Sequence, residues 1–290
     1  MISKWENKLG YALVLPSLIV IVAIGIIPIA ITTSYSFQNY ELTDPFHRGF
    51  VGLKNYIDIL TDDLFWFTLK NTLIFAVLSV VLQLVVGFAG ALLMNSATKA
   101  VGLVRTAILI PWAIPGIIIA YMFSFMFNDQ LGVINSVALM LGGGGYSWLT
   151  HPYSAMFVII LADTWKQFPY VSLMILAGLQ TIPASMAESA RVDGAKESTI
   201  FWKITLPNMK GIILVVLLFR TMGAIRIFDI IFGITGGGPA NSTATLLYQA
   251  YKYLFGDMNF GKGSAMSVII TLIILAISFV YIKTIKTEET

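Results

Sequence analysis

The chain has 290 residues, of which 57% are hydrophobic and 11% are charged, a composition that excludes an ordinary soluble domain and indicates a protein of the lipid bilayer. It contains no cysteine and two histidines, which excludes disulfides and a cysteine nucleophile and argues against a histidine-based metal or catalytic centre. The net charge of +3 is dispersed along the chain and indicates no nucleic-acid partner. We therefore predict no catalytic residue and no metal site.

Six stretches are apolar and long enough to cross a membrane, for which a helix needs about 20 residues. The first is longer than the core of a signal peptide and lacks a small-residue cleavage site, so we expect it to be retained. The sequence thus predicts an all-α membrane protein with a single transmembrane domain over residues 1–290. In chain order, the predicted spans cover residues 11–33, 71–94, 107–127, 155–179, 211–233 and 264–282.

Positive charge is distributed unequally between the loops, and this predicts the orientation of the chain. Five Lys and Arg residues lie in the odd-numbered loops: Arg48, Lys54, Lys70, Lys252 and Lys262. Ten lie in the termini and the even-numbered loops: Lys4, Lys8, Lys99, Arg105, Arg191, Lys196, Lys203, Lys210, Lys283 and Lys286. Both termini and the segment 181–210 are therefore expected in the cytoplasm. On the opposite side, LKNYIDILTDDLFWFTLKN has the apolar spacing of an amphipathic surface helix.

The passage ESARVDGAKESTIFWKITLP, residues 188–207, is rich in small and charged residues although it lies between two apolar spans. Ser185 and Glu188 have the spacing of a capping box, and Gly194 is placed to end a helix. A short helix is therefore expected over residues 185–193.

One face of this expected helix lacks bulk, because Ala187, Ala190 and Gly194 follow each other at helical spacing. Such a face allows the groove of another protein to approach closely, with Glu188 and Arg191 at its edge. The pattern alone leaves open that the segment is a simple connector.

The order of residues in this passage resembles the EAA loop of ATP-binding-cassette importer permeases, with Ser189 in place of the usual alanine. The resemblance implies the transmembrane-domain fold of a type I importer and a coupling helix that docks on a separate ATPase subunit. It implies coupling roles for Glu188, Ser189, Ala190, Asp193, Gly194, Ile204, Leu206 and Pro207.

A second passage, FRTMGAIRIFDIIFGITGGGPANSTATLLYQAYKYLF at 219–255, resembles carbohydrate importer permeases of the maltose or trehalose type. This resemblance implies alternating-access import of a sugar across the cytoplasmic membrane of a bacterium or archaeon. The implied partners are a second permease, two ATPase subunits that bind ATP and Mg²⁺, and an extracytoplasmic sugar-binding protein. The chain itself is expected to bind no cofactor, since GDMNFGKG has Gly263 where a phosphate loop needs Ser or Thr.

Five charged residues lie within the predicted spans, where an unpaired charge is costly. Asp163 with Lys166, and Arg226 with Asp229, are each three residues apart and could neutralise each other on one helix face. The alternative, that some of the charges line a sugar path, remains open. The resemblance implies a mid-membrane path at Gly116, Lys166, Gln167, Tyr170, Arg220, Gly223, Ala224, Arg226, Ile227 and Asp229.

Two other functions remain open at this stage. The excess of cations in the spans would suit an importer of the same family for glycerol phosphate or an acidic sugar. A secondary transporter driven by an ion gradient would use Asp163 and Asp229 to carry protons or sodium. The EAA pattern argues against the latter, since such a carrier has no use for a docking loop.

Overall fold

The computed structural model describes residues 13–96 and 101–288. Within these ranges, three helices are long and apolar enough to cross a membrane, and three bent helix pairs bring the number of possible spans to six. Residues 11 and 12 of the first predicted span, and Lys4, Lys8 and Lys99 among the predicted cytoplasmic charges, lie outside the described residues.

The chain forms two compact units, the first of which comprises the described residues up to Phe65 together with Ala250–Leu272. It begins with α1 (Leu13–Ser36), which contains a π-helical stretch. Two short antiparallel strands follow, β1 (Gln38–Asn39) and β2 (Gly49–Phe50), and then α2 (Lys54–Leu60).

The end of α1 is held by a side chain of α2. Asn55 Nδ2 donates to the backbone oxygens of Ser36 and Gln38, at 2.9 and 2.8 Å, which satisfies carbonyls that the helix end leaves open. Helix α2 buries Ile59 and exposes Ile57, but it covers only seven residues of the stretch expected to form one amphipathic helix, and from Asp63 the rest of that stretch belongs to the next, long helix.

The second unit comprises Trp66–Gln249 and the residues from Ile273 onward. Its first helix, α3, begins eight residues before the predicted start of the second span, because the polar residues around position 70 continue the helix rather than ending it. The helices that follow α2 in the chain are α3 (Asp63–Ser96), α4 (Val101–Ala113), α5 (Gly116–Met126), α6 (Val133–Met140), α7 (Pro152–Thr181), α8 (Ala184–Val192), α9 (Glu197–Asn208), α10 (Lys210–Ile225), α11 (Asp229–Ile234), α12 (Leu246–Tyr251) and α13 (Phe260–Glu288).

Helix α7 is packed closely on both sides. A Cβ atom on Gly90 of α3 would lie 2.4 Å from Ser172 Oγ of α7, and one on Gly178 of α7 would lie 2.6 Å from Ile212 Cγ2 of α10. Small residues let membrane helices approach each other in this way, and the resulting van der Waals contacts hold them together where lipid is as apolar as the side chains. These glycines therefore set α3, α7 and α10 side by side.

Two of the predicted spans are broken in the middle. Residues 107–127 form α4 and α5, whose axes differ by 91°, because Pro115 takes an extended conformation (ψ 138°) and has no N–H to continue the helix. Residues 211–233 form α10 and α11, interrupted at 226–228. The short halves α5 and α11 pack on each other, with a Cβ on Gly233 of α11 only 2.6 Å from Ala120 Cβ.

The TGGGP segment forms a fixed turn after α11. Gly236 and Gly237 have positive φ angles of 56° and 80°, which only glycine adopts without strain. Tyr248 donates its hydroxyl to the Gly236 carbonyl at 2.6 Å. Asn71 of α3 donates to the carbonyls of Asn241 and Ala244, at 3.1 Å each, so the turn is tied to the beginning of α3.

Candidate functional site

A helical hairpin connects α7 to α10. Its arms are α8 and α9, which bend away from these two helices by 68° and 67° respectively. The predicted coupling residues all lie on this hairpin: Glu188, Ser189 and Ala190 on α8, Asp193 and Gly194 in the turn, and Ile204, Leu206 and Pro207 on α9.

The turn of the hairpin has the geometry of a glycine-terminated helix end. Gly194 has a φ of 79°, in the left-handed region. Its N–H donates to the Arg191 carbonyl at 3.0 Å, and the N–H of Ala195 donates to the Ala190 carbonyl at 2.9 Å. These two bonds close the last turn of α8 in a Schellman motif. The expectation that Gly194 ends the helix is confirmed.

The expected capping box at the start of α8 is wrong. The helix begins at Ala184, its N-cap is Pro183, and no side chain caps it. Ser185 is thus the second residue of the helix and cannot accept from the first free N–H groups. The chain enters α8 in an extended conformation, with a ψ of 123° at Ile182 and 127° at Pro183. The helix therefore starts directly after Pro183, so the N-cap is Pro183 and not Ser185.

An ion pair joins the two arms. Arg191 of α8 donates from Nε to Glu197 Oε1 at 2.6 Å and from Nη2 to Glu197 Oε2 at 3.3 Å, so the contact is bidentate. The hydrogen bonds from Arg191 lower the pKa of Glu197 below its ordinary value, and the same contact raises the pKa of Arg191. Both groups remain charged near neutral pH, and the pair, although solvent-exposed, links the two arms across the turn at Gly194.

The outward face of α8 differs from the one expected. Ala187 and Ala190 are half-buried, and Ala187 lines a cavity of about 430 Å³ that also involves residues at the ends of α3 and α7. The exposed side carries Met186, Ser189 and Val192, and the Val192 side chain is 88% exposed. Ala187 and Ala190 are thus partly covered by the protein itself, and the exposed side of the helix offers the apolar side chain of Val192.

The breaks in the two interrupted helices meet at one place. Gly116 is the first residue of α5 and Asp229 the first of α11, and a Cβ on Gly116 would lie 1.5 Å from Asp229 Oδ2 and 3.2 Å from Lys166 Cε. Lys166 Nζ donates to the Ile114 carbonyl, which the break leaves without a helical partner, at 3.2 Å. Three of the predicted path residues, from three helices, therefore form one cluster.

The other predicted path residues surround this cluster to different extents. Tyr170 is half-buried and its ring lies 6.2 Å from that of Trp112. Gln167 and Gly223 are also half-buried, whereas Ala224 and Ile227 are buried. Arg226 is exposed, and its Nε donates to the Met222 carbonyl at 3.3 Å.

Arg220 takes part in a different arrangement, a polar network between α3, α7 and α10. Its Nε donates to Gln83 Oε1 at 2.8 Å, and its Nη2 lies 3.7 Å from Asp163 Oδ2. Gln83 Nε2 in turn donates to Asp163 Oδ2 at 2.8 Å. All three side chains are buried, so the three groups form a closed ring inside the helix bundle.

The two ion pairs considered from sequence spacing are not formed among the described residues. Asp163 contacts Gln83 and Arg220 instead of Lys166, and Asp229 lies at Gly116 rather than against Arg226. Asp163 is buried in the bundle, where partners on other helices are available, whereas Arg226 is exposed and donates to a carbonyl of its own helix.

Sequence reasoning missed Gln83 and Glu197. Gln83 is a lone amide in the apolar run SVVLQLVVG, and a polar side chain in such a run is expected to face the bundle interior, so a signal was present. Glu197 gave none, because a charged residue in a cytoplasmic loop is ordinary. In the described part of the chain, no three His, Cys, Asp or Glu side chains are grouped so as to hold a metal ion.

Bent helices, close glycine contacts and an exposed helical hairpin define a membrane permease. The chain belongs to the family of binding-protein-dependent transport system inner membrane components, whose model matches residues 83–283. Members of this family are transport components rather than enzymes, and the chain is a permease subunit of an ATP-binding-cassette importer.

Similar proteins extend over nearly the whole chain. A trehalose/maltose transport system permease protein, MalF, from Thermococcus litoralis is 39% identical over 96% of this chain and 94% of its own length. A sulfoquinovosyl glycerol transport system permease protein, SmoG, from Agrobacterium fabrum is 37% identical over 98% of this chain and 92% of its own length. A crystal structure of a bacterial importer of the acidic polysaccharide alginate superposes with a TM-score of 0.83 at 21% identity, over 97% of this chain and 96% of the other, and shares its fold.

Proposed function

We propose that the chain is the permease subunit of an ATP-driven importer of a neutral sugar of the trehalose or maltose type, located in the cytoplasmic membrane of a bacterium or archaeon. A second, similar permease would complete the transmembrane path. Two ATPase subunits would bind ATP and Mg²⁺, and an extracytoplasmic binding protein would deliver the sugar. This chain would bind no nucleotide.

The exposed hairpin of α8 and α9 is the observation that carries the proposal. Its arms are joined by the Gly194 turn and by the pair between Arg191 and Glu197, and it presents the exposed Val192. A projection with an apolar side chain is suited to dock in a groove of another protein and to transmit its movement. Closure of the ATPases would pull the hairpin, and the broken spans would rearrange around the sugar.

The sugar path is proposed at the cluster of Gly116, Lys166 and Asp229. Transporter sites commonly form where membrane helices are interrupted, because the interruption exposes backbone groups that can bind a solute. The cluster combines an amine, a carboxylate and a backbone carbonyl. Tyr170 follows Lys166 by one turn of α7, and its ring lies close to that of Trp112. Such groups can bind hydroxyls and stack on the apolar face of a sugar.

The charges in the spans support a neutral sugar. Lys166, Arg220 and Arg226 each donate to an acceptor of the protein itself, and the first two lie beside the carboxylates of Asp229 and Asp163. At the cluster of Gly116, Lys166 and Asp229, the amine of Lys166 therefore has a carboxylate nearby, which suits a neutral sugar better than an anion.

An anionic substrate is the second candidate, because similar permeases belong to transport systems for sulfoquinovosyl glycerol and for sn-glycerol-3-phosphate, the latter 33% identical in Agrobacterium fabrum. Arg226, which is exposed, would then contact the anion.

The proposal is tested by purifying the tagged protein in mild detergent from its own host and identifying what accompanies it by mass spectrometry. A second permease and an ATPase are expected. The recovered complex is then placed in proteoliposomes with its binding protein, and uptake of labelled trehalose and maltose is measured with ATP. Competition by these sugars but not by glycerol phosphate supports the neutral sugar. Uptake without ATP, by the chain alone, would refute the importer.

A further inference from the structure

Arg220 was expected in the sugar path, but its surroundings indicate another role. The residues Gln83, Asp163 and Arg220 are 0%, 1% and 6% exposed. Their polar atoms are directed at one another: the amide of Gln83 donates to the carboxylate and accepts from the guanidinium. A sugar hydroxyl can bind only an atom that it can reach, and this ring is closed.

The ring joins the three helices that the glycine contacts place side by side. Gln83 belongs to α3, Asp163 to α7 and Arg220 to α10, and the residues are separated in the chain by 80 and 137 positions. In a membrane, burial of apolar surface does not favour one helix position over another, since lipid is equally apolar, so polar contacts and close packing determine how helices are aligned. The ring is therefore suited to set the alignment of α3, α7 and α10.

The ring also lies next to the proposed sugar path. Lys166 follows Asp163 by three residues on α7, and a Cβ on Gly223 of α10 would lie 3.2 Å from Arg220 Nη1. A shift of α7 relative to α10 would move Lys166 relative to Asp229, which begins α11 just after the interruption at 226–228. Alignment at the ring thus determines the geometry of the path.

We propose that Gln83, Asp163 and Arg220 form a positioning clamp that aligns α3, α7 and α10 and holds the sugar path in shape, without contacting the sugar. This inference rests on the proposed function for its transport readout. The clamp residues are positioning residues, acting through Lys166 and the helix breaks.

The first test compares Arg220→Met with Asp163→Asn/Arg220→Met in the reconstituted importer. Arg220→Met leaves the buried charge of Asp163 unpaired, whereas the double variant leaves no unpaired charge. In buried ion pairs, removing both charges destabilises a protein less than removing one. A misplacement of about 1 Å at a positioned group can cost on the order of 100-fold in rate, so we expect a fall of that order in the maximal uptake rate of the single variant. The sugar concentration for half-maximal uptake should change far less than the maximal rate, and the double variant should recover most of the rate.

Arg105→Met, at an exposed position on α4, serves as the matched control and should transport like the parent protein. A rise in the half-saturating concentration with an unchanged maximal rate would show that Arg220 contacts the sugar and would overturn the clamp. A double variant as inactive as the single one would do the same.

A second test does not depend on transport. The chain has no cysteine, and a Cβ on Gly178 would lie 3.3 Å from Ile212 Cβ, close to the roughly 3.5–4.5 Å usual in disulfides. Gly178→Cys/Ile212→Cys should therefore cross-link α7 to α10 on oxidation. With Arg220→Met added, the disulfide should form more slowly, and once formed it should restore uptake.

Equal cross-linking rates with and without Arg220 would overturn the clamp whatever the substrate. If the parent complex took up no sugar while the cross-linking rates differed as expected, the proposed function would fail and the clamp would stand.

Discussion

The turn at Gly194 permits a test in which the backbone and the side chain are separated. A Cβ at this position would meet no atom within 4 Å, so a larger residue is not excluded by the chain itself. The φ of 79°, however, is left-handed, and an ordinary residue in that conformation costs about 1–2 kcal/mol. Such a cost corresponds to a factor of roughly 5–30 in the ratio of closed to opened hairpin.

Gly194→Val and Gly194→Asn form the matched pair. Asparagine tolerates the left-handed region, whereas a β-branched residue is a strong outlier there. We therefore expect the valine variant to lose ATP-dependent uptake and ATPase stimulation by the loaded binding protein, and the asparagine variant to keep most of both. Binding of sugar by the external protein, measured by calorimetry, should be unchanged.

Two results would refute the reasoning. Equal loss in both variants would mean that bulk at the partner surface matters and the backbone does not. Full uptake in both would mean that the hairpin does not transmit the movement of the ATPases.

Three further predictions concern the hairpin and the path. Val192→Asp should weaken the complex with the ATPase by about 10- to 100-fold, as expected for losing the burial of one valine, while Val192→Ile should not; co-purification at graded salt measures both. Gly116→Ala should raise the half-saturating sugar concentration by roughly tenfold, because the new methyl group displaces the Asp229 carboxylate; an unchanged value would remove Gly116 from the path. Glu197→Gln should speed hydrogen exchange at the Gly194 turn at neutral pH, and this difference from the parent protein should vanish in acid. The pKa of Glu197 is lowered by the pair. The pair therefore stabilises the turn fully at pH values above the ordinary carboxyl pKa, and this stabilisation is lost as the pH falls through the lowered pKa.

Features set by short stretches of sequence could be predicted. Hydropathy located the three helices that are long and apolar enough to cross a membrane, α1, α3 and α13, since the requirement for about 20 apolar residues is local. The end of α8 could be predicted from Gly194, because a helix end of this type depends only on the left-handed backbone conformation of that residue. The start of α8 did not follow, because Pro183 competed with the capping residue that the pattern favoured.

One of the two helix breaks is marked by proline and glycine in the sequence, but a hydropathy value averaged over a span does not detect it. The run PWAIPG contains two prolines and a glycine in six residues, and Pro115 ends α4 and begins α5. A window of about 20 residues treats this run as part of one span, although proline removes the hydrogen bond that a continuous helix needs. The second break, at 226–228, had no proline and could be found only from the packing of α11 on α5.

The buried charges could not be assigned from spacing, and the reason bears on what drives transport. Spacing along one helix pairs Asp163 with Lys166, but the structure pairs it with Gln83 and Arg220, which no local pattern could indicate. An ion-driven carrier needs a carboxylate that reaches solvent on each side in turn. Asp163 is 1% exposed, and its Oδ2 accepts from Gln83 and lies 3.7 Å from Arg220 Nη2, so releasing it would leave Arg220 as an unpaired buried cation. For Asp163, this arrangement favours a carboxylate that stays in place, as expected in an importer whose proposed source of energy is an ATPase outside the chain.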